Sequence, residues 1–295
     1  MKGFTFLEKL RFIVSGHLLA PIWWSRFRRR AWRSHIIYKI IEKHCLPYLS
    51  VVENLEEQEV IQDDENEKIY SLWAWNKKPE LVDACFRSMK RHCKQDLIVL
   101  DEKTLFDYMD LPDFIMDKRS QGKIGNAHFS DIARVELLFN HGGFWMDSTL
   151  FVTAKIPQDI VDQDLFMYLW KKPSDFSYGF IQNCFIRARK GSYLMQAWRA
   201  VIHEYWKNED TAMDYFIHQI LFKILVKNDP RAEKYFNEML HIDQGPTHGL
   251  WPHHKDEFVK ELFDELTSKV FFQKTRYADT AEIIDGSFAD VIIKV

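Results

Sequence analysis

The stretch His141–Val152 reads HGGFWMDSTLFV and decides how the rest of the chain is interpreted. Two glycines enter a run of large apolar residues, which is typical of a buried β-strand. Asp147 interrupts this run, so its carboxylate is expected at or near the carboxyl end of the strand. A buried carboxylate without a partner is costly, so Asp147 is expected to meet a metal, a cation or a donor-rich ligand. A local cap formed with Ser148 and Thr149 is the structural alternative.

The segment before this strand predicts a helix. Apolar residues recur at helical spacing in SDIARVELLFNHGG, with Ser130 as the expected N-cap and Gly142 as the expected end. Asp131 and Arg134 are three residues apart and therefore share one face of the helix. Together they offer acceptors and donors that suit sugar hydroxyls or a phosphate. An ordinary surface ion pair is the alternative interpretation.

Strands and helices are predicted to alternate on both sides of this block. Upstream, strands are expected at residues 69–75 and from Asp96, with a helix after Pro79 between them. Downstream, two further strand candidates, DLFMYLW and YGFIQNCFIRA, precede two long helical segments. This alternation predicts an α/β fold with parallel strands, in which ligands bind at the carboxyl ends of the strands.

Composition narrows the function classes. The chain has 295 residues and a net charge of -3, which gives no overall reason to expect a nucleic-acid partner. Its four cysteines form no CxxC pair and no zinc-like spacing, so reduced thiols in a cytoplasmic protein are expected.

Residues 1–60 differ from the rest and are predicted to form a basic, amphipathic helical segment. An apolar run, Phe12–Trp24, is too short to cross a bilayer and is followed by the arginines 26, 28, 29, 30 and 33. This combination favours a helix lying on an anionic membrane surface, while packing on its own domain is the alternative. An acidic stretch at residues 53–68 resembles a linker, and a catalytic domain is predicted over residues 67–295.

The central block HFSDIARVELLFNHGGFWMDSTLFVTAKIP resembles the core of the capsular polysaccharide synthesis glycosyltransferases. These are relatives of the glycosyltransferases with a D-x-D sugar-binding signature. The pattern is Ser-Asp, two residues, Arg, an apolar helix, Gly-Gly, and then D-x-D or D-x-T. Ser130, Asp131, Arg134, the glycine pair and Asp147 match it in order and spacing, and the resemblance extends over residues 69–250.

The resemblance implies a GT-A fold, with a central, mixed but mostly parallel sheet flanked by helices. It also implies a UDP-sugar donor and a Mn²⁺ or Mg²⁺ ion. Asp131, Arg134 and Asp147 would be the catalytic residues and would also bind the donor. The other donor-binding residues that it implies are Trp73, stacked on the uracil, Ser130, Thr149 and Asn183.

One position departs from the commoner pattern. Thr149 stands where many relatives have the second aspartate, and a threonine is a poor metal ligand. The expected metal ligands are therefore Asp147 and, from the late turn GPTHGLW, His248. His218, on the apolar face of a helix, is expected to be a core histidine rather than a catalyst.

The predicted function is transfer of a hexose, galactose or glucose, from a UDP-sugar to a lipid-linked glycan at the inner face of the cell membrane. The resemblance implies retention of anomeric configuration. A phosphohydrolase of the aspartyl-phosphate type is a rival, but its second carboxylate would stand at Thr149. A membrane-peripheral scaffold on a decayed transferase fold is the non-enzymatic rival.

Overall fold

The computed structural model describes residues 26–62, 67–74, 77–170, 180–276 and 283–295. Side chains are described from Ser34 onward. The apolar run Phe12–Trp24 and the side chains of the five N-terminal arginines, on which the predicted membrane contact depends, lie outside the described residues.

Seven strands and ten α-helices occur in the described residues. The strands are β1 Lys68–Leu72, β2 Asp96–Leu100, β3 Gly143–Met146, β4 Leu150–Val152, β5 Leu165–Leu169, β6 Ile181–Ala188 and β7 Phe272–Lys274. The helices are α1 Arg26–Cys45, α2 Glu80–His92, α3 Asp113–Ser120, α4 Asn126–His141, α5 Gln158–Val161, α6 Tyr193–Asn208, α7 Ile217–Asn228, α8 Pro230–Glu238, α9 Lys260–Thr267 and α10 Phe288–Lys294. Short 3₁₀ turns cover Leu46–Val52, Leu105–Asp107, Gly245–His248 and Trp251–His253.

A five-stranded sheet in the order β2-β1-β3-β6-β5 forms the centre of the fold. β1 pairs in parallel with both β2 and β3, whereas β6 runs antiparallel to β3 and to β5. Four of the five strands therefore point in one direction. The predicted mixed, mostly parallel sheet between helices is confirmed.

Both faces of this sheet are buried, as the alternation of side chains along each strand shows. Tyr70 and Trp145 face a large core cluster that includes residues of α4, α6 and α7. Ile69 and Phe144, one position earlier on the same strands, face a second cluster that includes residues of α2. Buried strands of this kind read as continuous apolar runs, which is why FWM was recognisable in the sequence.

The stretch Gly143–Val152 does not form one strand. β3 ends at Met146, the chain turns at Ser148 and Thr149, and β4 leaves the central sheet to pair antiparallel with β7. The carboxylate of Asp147 explains why β3 ends here. Both faces of the sheet are packed with apolar side chains, so an acid within the strand would point into one of these apolar layers. Asp147 therefore follows the strand directly.

Helix α4 begins five residues earlier than predicted, at Asn126. Gly125 is its N-cap, so Ser130 lies in the second turn, and the predicted N-cap role of Ser130 is wrong. The end at Gly142 is confirmed, with a φ of 71° that favours glycine. Gly143 has a φ of 93°, and a Cβ there would lie 2.4 Å from the carbonyl oxygen of Lys68 on β1.

The N-terminal part of the chain joins the main core from Tyr38 onward. Tyr38, Ile41 and Cys45 of α1 are buried in the same cluster as α6 and α7, and the following 3₁₀ turn adds Leu49 and Val52. The predicted boundary near residue 60 stays a prediction. None of the helices in the described ranges combines the length and the apolar character that crossing a bilayer requires.

The close approach of β1 and β3 predicts a large effect of Gly143→Ala. The substitution combines a positive φ with a backbone clash, so it should lower the free energy of unfolding by about 3 kcal/mol or more in chemical denaturation. Gly122→Ala is the matched control, because Gly122 also has a positive φ, 70°, but no atom within 4 Å of the added Cβ. It should cost only about 1 kcal/mol. Equal losses in the two variants would contradict the importance of the strand contact.

Candidate functional site

A cavity of about 800 Å³ opens at the carboxyl edge of the central sheet. Its walls come from the chain just after β1, β3 and β5, from the start of β6, and from the first turns of α4 and α7. The antiparallel β6 begins at this edge, so its first residues meet the ends of the parallel strands. The cavity therefore lies where an α/β sheet is expected to bind its ligand.

The structure brings all the residues predicted for the site to this one cavity. The residues that line it include Trp73, Ser130, Asp131, Arg134, Asp147, Thr149, Asn183 and His248. Trp73 also belongs to the apolar cluster on the α2 side of the sheet. Their individual roles in binding and catalysis stay predictions.

Arg134 connects three elements around the cavity. Its Nη1 donates to the carbonyl oxygen of Asn183 on β6 at 2.7 Å and lies 3.1 Å from Oδ1 of Asp131. Its Nη2 lies 3.3 Å from Oδ1 of Asp147 and donates to Oγ of Ser130 at 3.3 Å. The arginine is only 5% exposed and Asp131 only 7%, so this is not an ordinary surface ion pair.

Asp131 accepts a hydrogen bond on one oxygen and faces a histidine ring nitrogen with the other. Asn183 donates its Nδ2 to Oδ1 at 2.8 Å, and Nδ1 of His218 lies 3.3 Å from Oδ2. Trp206 donates its indole N–H to Nε2 of His218 at 2.9 Å, which places the ring proton of the neutral histidine on Nδ1, toward Asp131. His218 is fully buried, as expected of a core histidine, and in addition orients a predicted site residue.

Lys274 is the site residue that the sequence analysis missed. It is the last residue of β7, and its Nζ donates to Oδ2 of Asp147 at 2.8 Å and to Oγ1 of Thr149 at 2.7 Å. The second oxygen of Asp147 accepts from the indole N–H of Trp145 at 2.8 Å. Lys274 pairs with Leu150 in the β4–β7 register, which sets its side chain beside the turn.

The signal for Lys274 was weak but present in the sequence. The segment KVFFQK ends an apolar strand candidate with a cation, much as FWMD ends one with an acid. Nothing in the sequence shows that two segments 127 residues apart meet.

The charges at the site stabilise one another. Burial alone would raise the pKa of Asp147, but Lys274 and Arg134 hold it below its usual value. Burial likewise opposes the charge of Lys274, but Asp147 raises its pKa. Burial lowers the pKa of His218 although Asp131 opposes the shift. Asp147 and Lys274 are therefore both ionised at neutral pH, and His218 is neutral.

The side chains at the cavity do not fit the predicted divalent metal. Both oxygens of Asp147 accept from N–H donors, and a divalent ion needs several oxygen ligands. His248 bonds Oγ1 of Thr247 through Nδ1 at 2.9 Å and stacks on Trp251. Burial and the nearby Lys274 lower its pKa to about 4. Within the described ranges, no group of three or more His, Cys, Asp or Glu side chains is placed to hold a metal.

Amide oxygens on the cavity wall can accept further hydrogen bonds. The Oε1 atoms of Gln182, Gln219 and Gln244 have no hydrogen-bond partner among the described residues. All three glutamines line the cavity, and Gln182 and Gln244 are 8% and 7% exposed. Each of these three oxygen atoms is almost fully shielded, so a ligand hydroxyl group would reach one only after a side-chain rotation.

The sequence matches a family model described as "Capsular polysaccharide synthesis protein" over residues 25–292. The predicted family resemblance is thereby confirmed. No curated protein matches the sequence. A solved structure titled "PaToxG Glycosyltransferase" is similar with a TM-score of 0.38 and 12% identity, covering 70% of this chain and 83% of that chain. That likeness is too weak to define the fold.

The position of Arg134 predicts a large stability loss for Arg134→Met. The variant keeps much of the side-chain volume but leaves the buried Asp131 without its cation and Asp147 with Lys274 alone, so the free energy of unfolding should fall by about 3–5 kcal/mol. Lys260→Met is the control, because Lys260 pairs with Asp264 on the exposed surface of α9 and should cost under about 0.5 kcal/mol. Chemical denaturation at neutral pH measures both. A loss of under about 1 kcal/mol for Arg134→Met would contradict the central role of its ion pairs.

Proposed function

The chain belongs to the capsular polysaccharide synthesis protein family, and from that premise we propose that it is a glycosyltransferase with a GT-A fold. It transfers a hexose, galactose or glucose, from a UDP-sugar to a lipid-linked oligosaccharide with retention of configuration. The observation that carries the proposal is the cavity at the carboxyl edge of the sheet, where a largely buried ion network meets the side chains of three glutamines.

Two features of the cavity suit the diphosphate of such a donor. Lys274 lines it as a partly buried cation, with 19% of its side chain exposed. The first residues of α4, Asn126 and Ala127, line it as well, and the N-terminus of a 16-residue helix favours negative charge. In the proposed complex the diphosphate lies between these two features.

The remaining wall suits a sugar and a base. Asp131 and the three glutamine oxygens accept hydrogen bonds, and the hydroxyl groups of a hexose supply the donors. Trp73 lines the cavity after β1 and is the proposed stacking partner of the uracil. Asn183 fixes Asp131 by its side chain and Arg134 by its carbonyl group, so its proposed role is to hold both residues toward the donor.

The proposed reaction takes place on one face of the sugar. The bond between the anomeric carbon and the diphosphate oxygen breaks, and the acceptor hydroxyl oxygen forms a bond to the same carbon. The hydroxyl proton passes to the departing diphosphate, so the products are UDP and the new glycoside. Positive groups that meet the developing charge of the diphosphate lower the barrier. No step requires a carboxylate nucleophile.

The phosphohydrolase reading is disfavoured by the same contacts. A nucleophilic aspartate needs a carboxylate oxygen that can reach phosphorus. In Asp147, Oδ2 accepts from Lys274 and Oδ1 accepts from Trp145. The second candidate function, a scaffold without catalysis, leaves the unpaired amide oxygens and the buried ion network without a purpose.

Location at the inner face of the cell membrane is part of the proposal. The lipid-linked acceptor is presented at a membrane surface, and residues 12–33 combine apolar residues with five arginines. Attraction of such a segment to anionic lipid supports the proposed location.

A nucleotide-sugar panel tests the proposed activity. UDP-glucose or UDP-galactose should raise the unfolding temperature of the purified protein by about 5 °C at saturating concentration and release UDP slowly. Asp147→Asn should lower the rate of UDP release by at least about 100-fold, because Lys274 and Arg134 lose their shared anion.

Asp96→Asn is the matched control for that substitution. Asp96 also pairs with a lysine, Lys68, at 2.8 Å, but it lies on the exposed start of β2, away from the cavity. UDP release by this variant should equal that of the wild type. A protein that responds to no UDP-, GDP- or ADP-sugar would contradict the glycosyltransferase, and hydrolysis of a phosphate monoester would favour the phosphohydrolase.

Replacing the five arginines at positions 26, 28, 29, 30 and 33 by glutamine tests the membrane proposal. Each basic residue near an anionic surface contributes about 1 kcal/mol, so binding to phosphatidylglycerol vesicles should fall by at least about 100-fold. Co-sedimentation with vesicles measures the change, with neutral phosphatidylcholine vesicles as the comparison. Equal binding of the variant and the wild type to the anionic vesicles would argue against an electrostatic membrane contact.

A further inference from the structure

The side chain of Lys274 is held in the cavity wall by contacts with the turn between β3 and β4. Its Nζ donates to Asp147 and Thr149, at 2.8 Å and 2.7 Å. The neighbouring Thr275 donates both its N–H and its hydroxyl group to the carbonyl oxygen of Thr149, at 2.9 Å and 2.8 Å. The end of β7 is therefore fixed to the turn after β3, which places the Lys274 side chain beside Asp147 and Thr149.

The ammonium group keeps one donor for a ligand. A protonated lysine has three N–H groups, and protein acceptors in the described residues take two of them. Lys274 lines the cavity, so the third N–H is available to an anion that enters it. The terminal nitrogens of Arg134 already bind protein acceptors, and its remaining donor, Nε, is buried without a partner.

The two carboxylates of the cavity are surrounded by donors rather than arranged around a cation site. Asp147 accepts hydrogen bonds from Trp145 and Lys274 and forms an ion pair with Arg134. Asp131 receives Asn183 and Arg134 on one oxygen and faces His218 with the other. A divalent ion next to either acid would have to displace these N–H groups, which carry positive charge toward the same oxygens.

The charge balance explains why Thr149 is compatible with this arrangement. Asp147 contributes one negative charge and Thr149 none, so one ammonium group neutralises the pair. A second carboxylate at position 149 would leave a net negative charge, which a monovalent lysine could not offset. Thr149 therefore functions as a neutral acceptor that positions the lysine.

We propose that Lys274 is the cation of the donor site: its ammonium group, held by Asp147 and Thr149, binds the diphosphate of the nucleotide directly, and donor binding needs no divalent metal. This inference rests on the proposed function. It assigns to a residue of the chain the direct contact with the diphosphate for which a Mn²⁺ or Mg²⁺ ion was expected.

Titration calorimetry with UDP tests the inference on the full-length wild type. UDP should bind with affinities that agree within about three-fold in EDTA and in excess Mn²⁺. Binding only with Mn²⁺, or more than about ten-fold tighter with it, would overturn the inference and leave the proposed function standing. If UDP, GDP and ADP all fail to bind under both conditions, the proposed function itself fails.

Two variants at one position separate charge from fold. Lys274→Met should weaken UDP binding in EDTA by at least about ten-fold, and Lys274→Arg should stay within a few-fold of the wild type. Lys68→Met, which removes a lysine paired with Asp96 on the exposed edge, should leave UDP affinity unchanged. Unfolding curves identify any variant that does not fold. Unchanged UDP affinity in a folded Lys274→Met variant would overturn the assignment.

Discussion

The buried guanidinium group of Arg134 is the interaction on which the site depends. It joins the second turn of α4, the turn after β3 and the first residues of β6 through two carboxylates and a carbonyl group. Without Arg134, Asp131 would lose its cationic partner and Asp147 one of its two. The ring of Trp145 lies under the guanidinium, 5.1 Å from its Cζ, and donates to Asp147 as well. The same side chains therefore fill the core and align the cavity.

The end of strand β3 at Met146 determines where the second half of the site lies. Because the chain leaves the central sheet at Asp147, β4 can pair with β7, and β7 returns Lys274 to the turn. The two halves of the ion network come from segments far apart in sequence. An acid at a strand end is thus completed by a cation from the C-terminal part of the chain.

Local patterns predicted much of the fold and the central part of the site. The alternation of strand and helix candidates predicted β2, Pro79 predicted the start of α2, and the glycine pair predicted the end of α4 at Gly142. All three lie where predicted. Resemblance to a known family gave Asp131, Arg134 and Asp147, which meet around one cavity. The resemblance also implied that Asp147 is a metal ligand, whereas its burial alone predicted a metal, a cation or a donor-rich ligand. Lys274 was missed because β4–β7 pairing is a long-range contact that leaves no periodic trace in the sequence.

The balanced charge of the site also bears on what it selects. Asp131 and Asp147 are offset by Arg134 and Lys274, and His218 and His248 are neutral at neutral pH. A cluster with no net charge can keep its individual groups ionised on the wall of a cavity without a ligand. It exerts little general attraction on polyanions. Selectivity then depends on a few directed groups: the remaining N–H of Lys274, the start of α4 and the unpaired glutamine oxygens. A ligand that satisfies all three has one compact anionic group and many neutral hydroxyls, which describes a nucleotide sugar better than an inorganic polyphosphate.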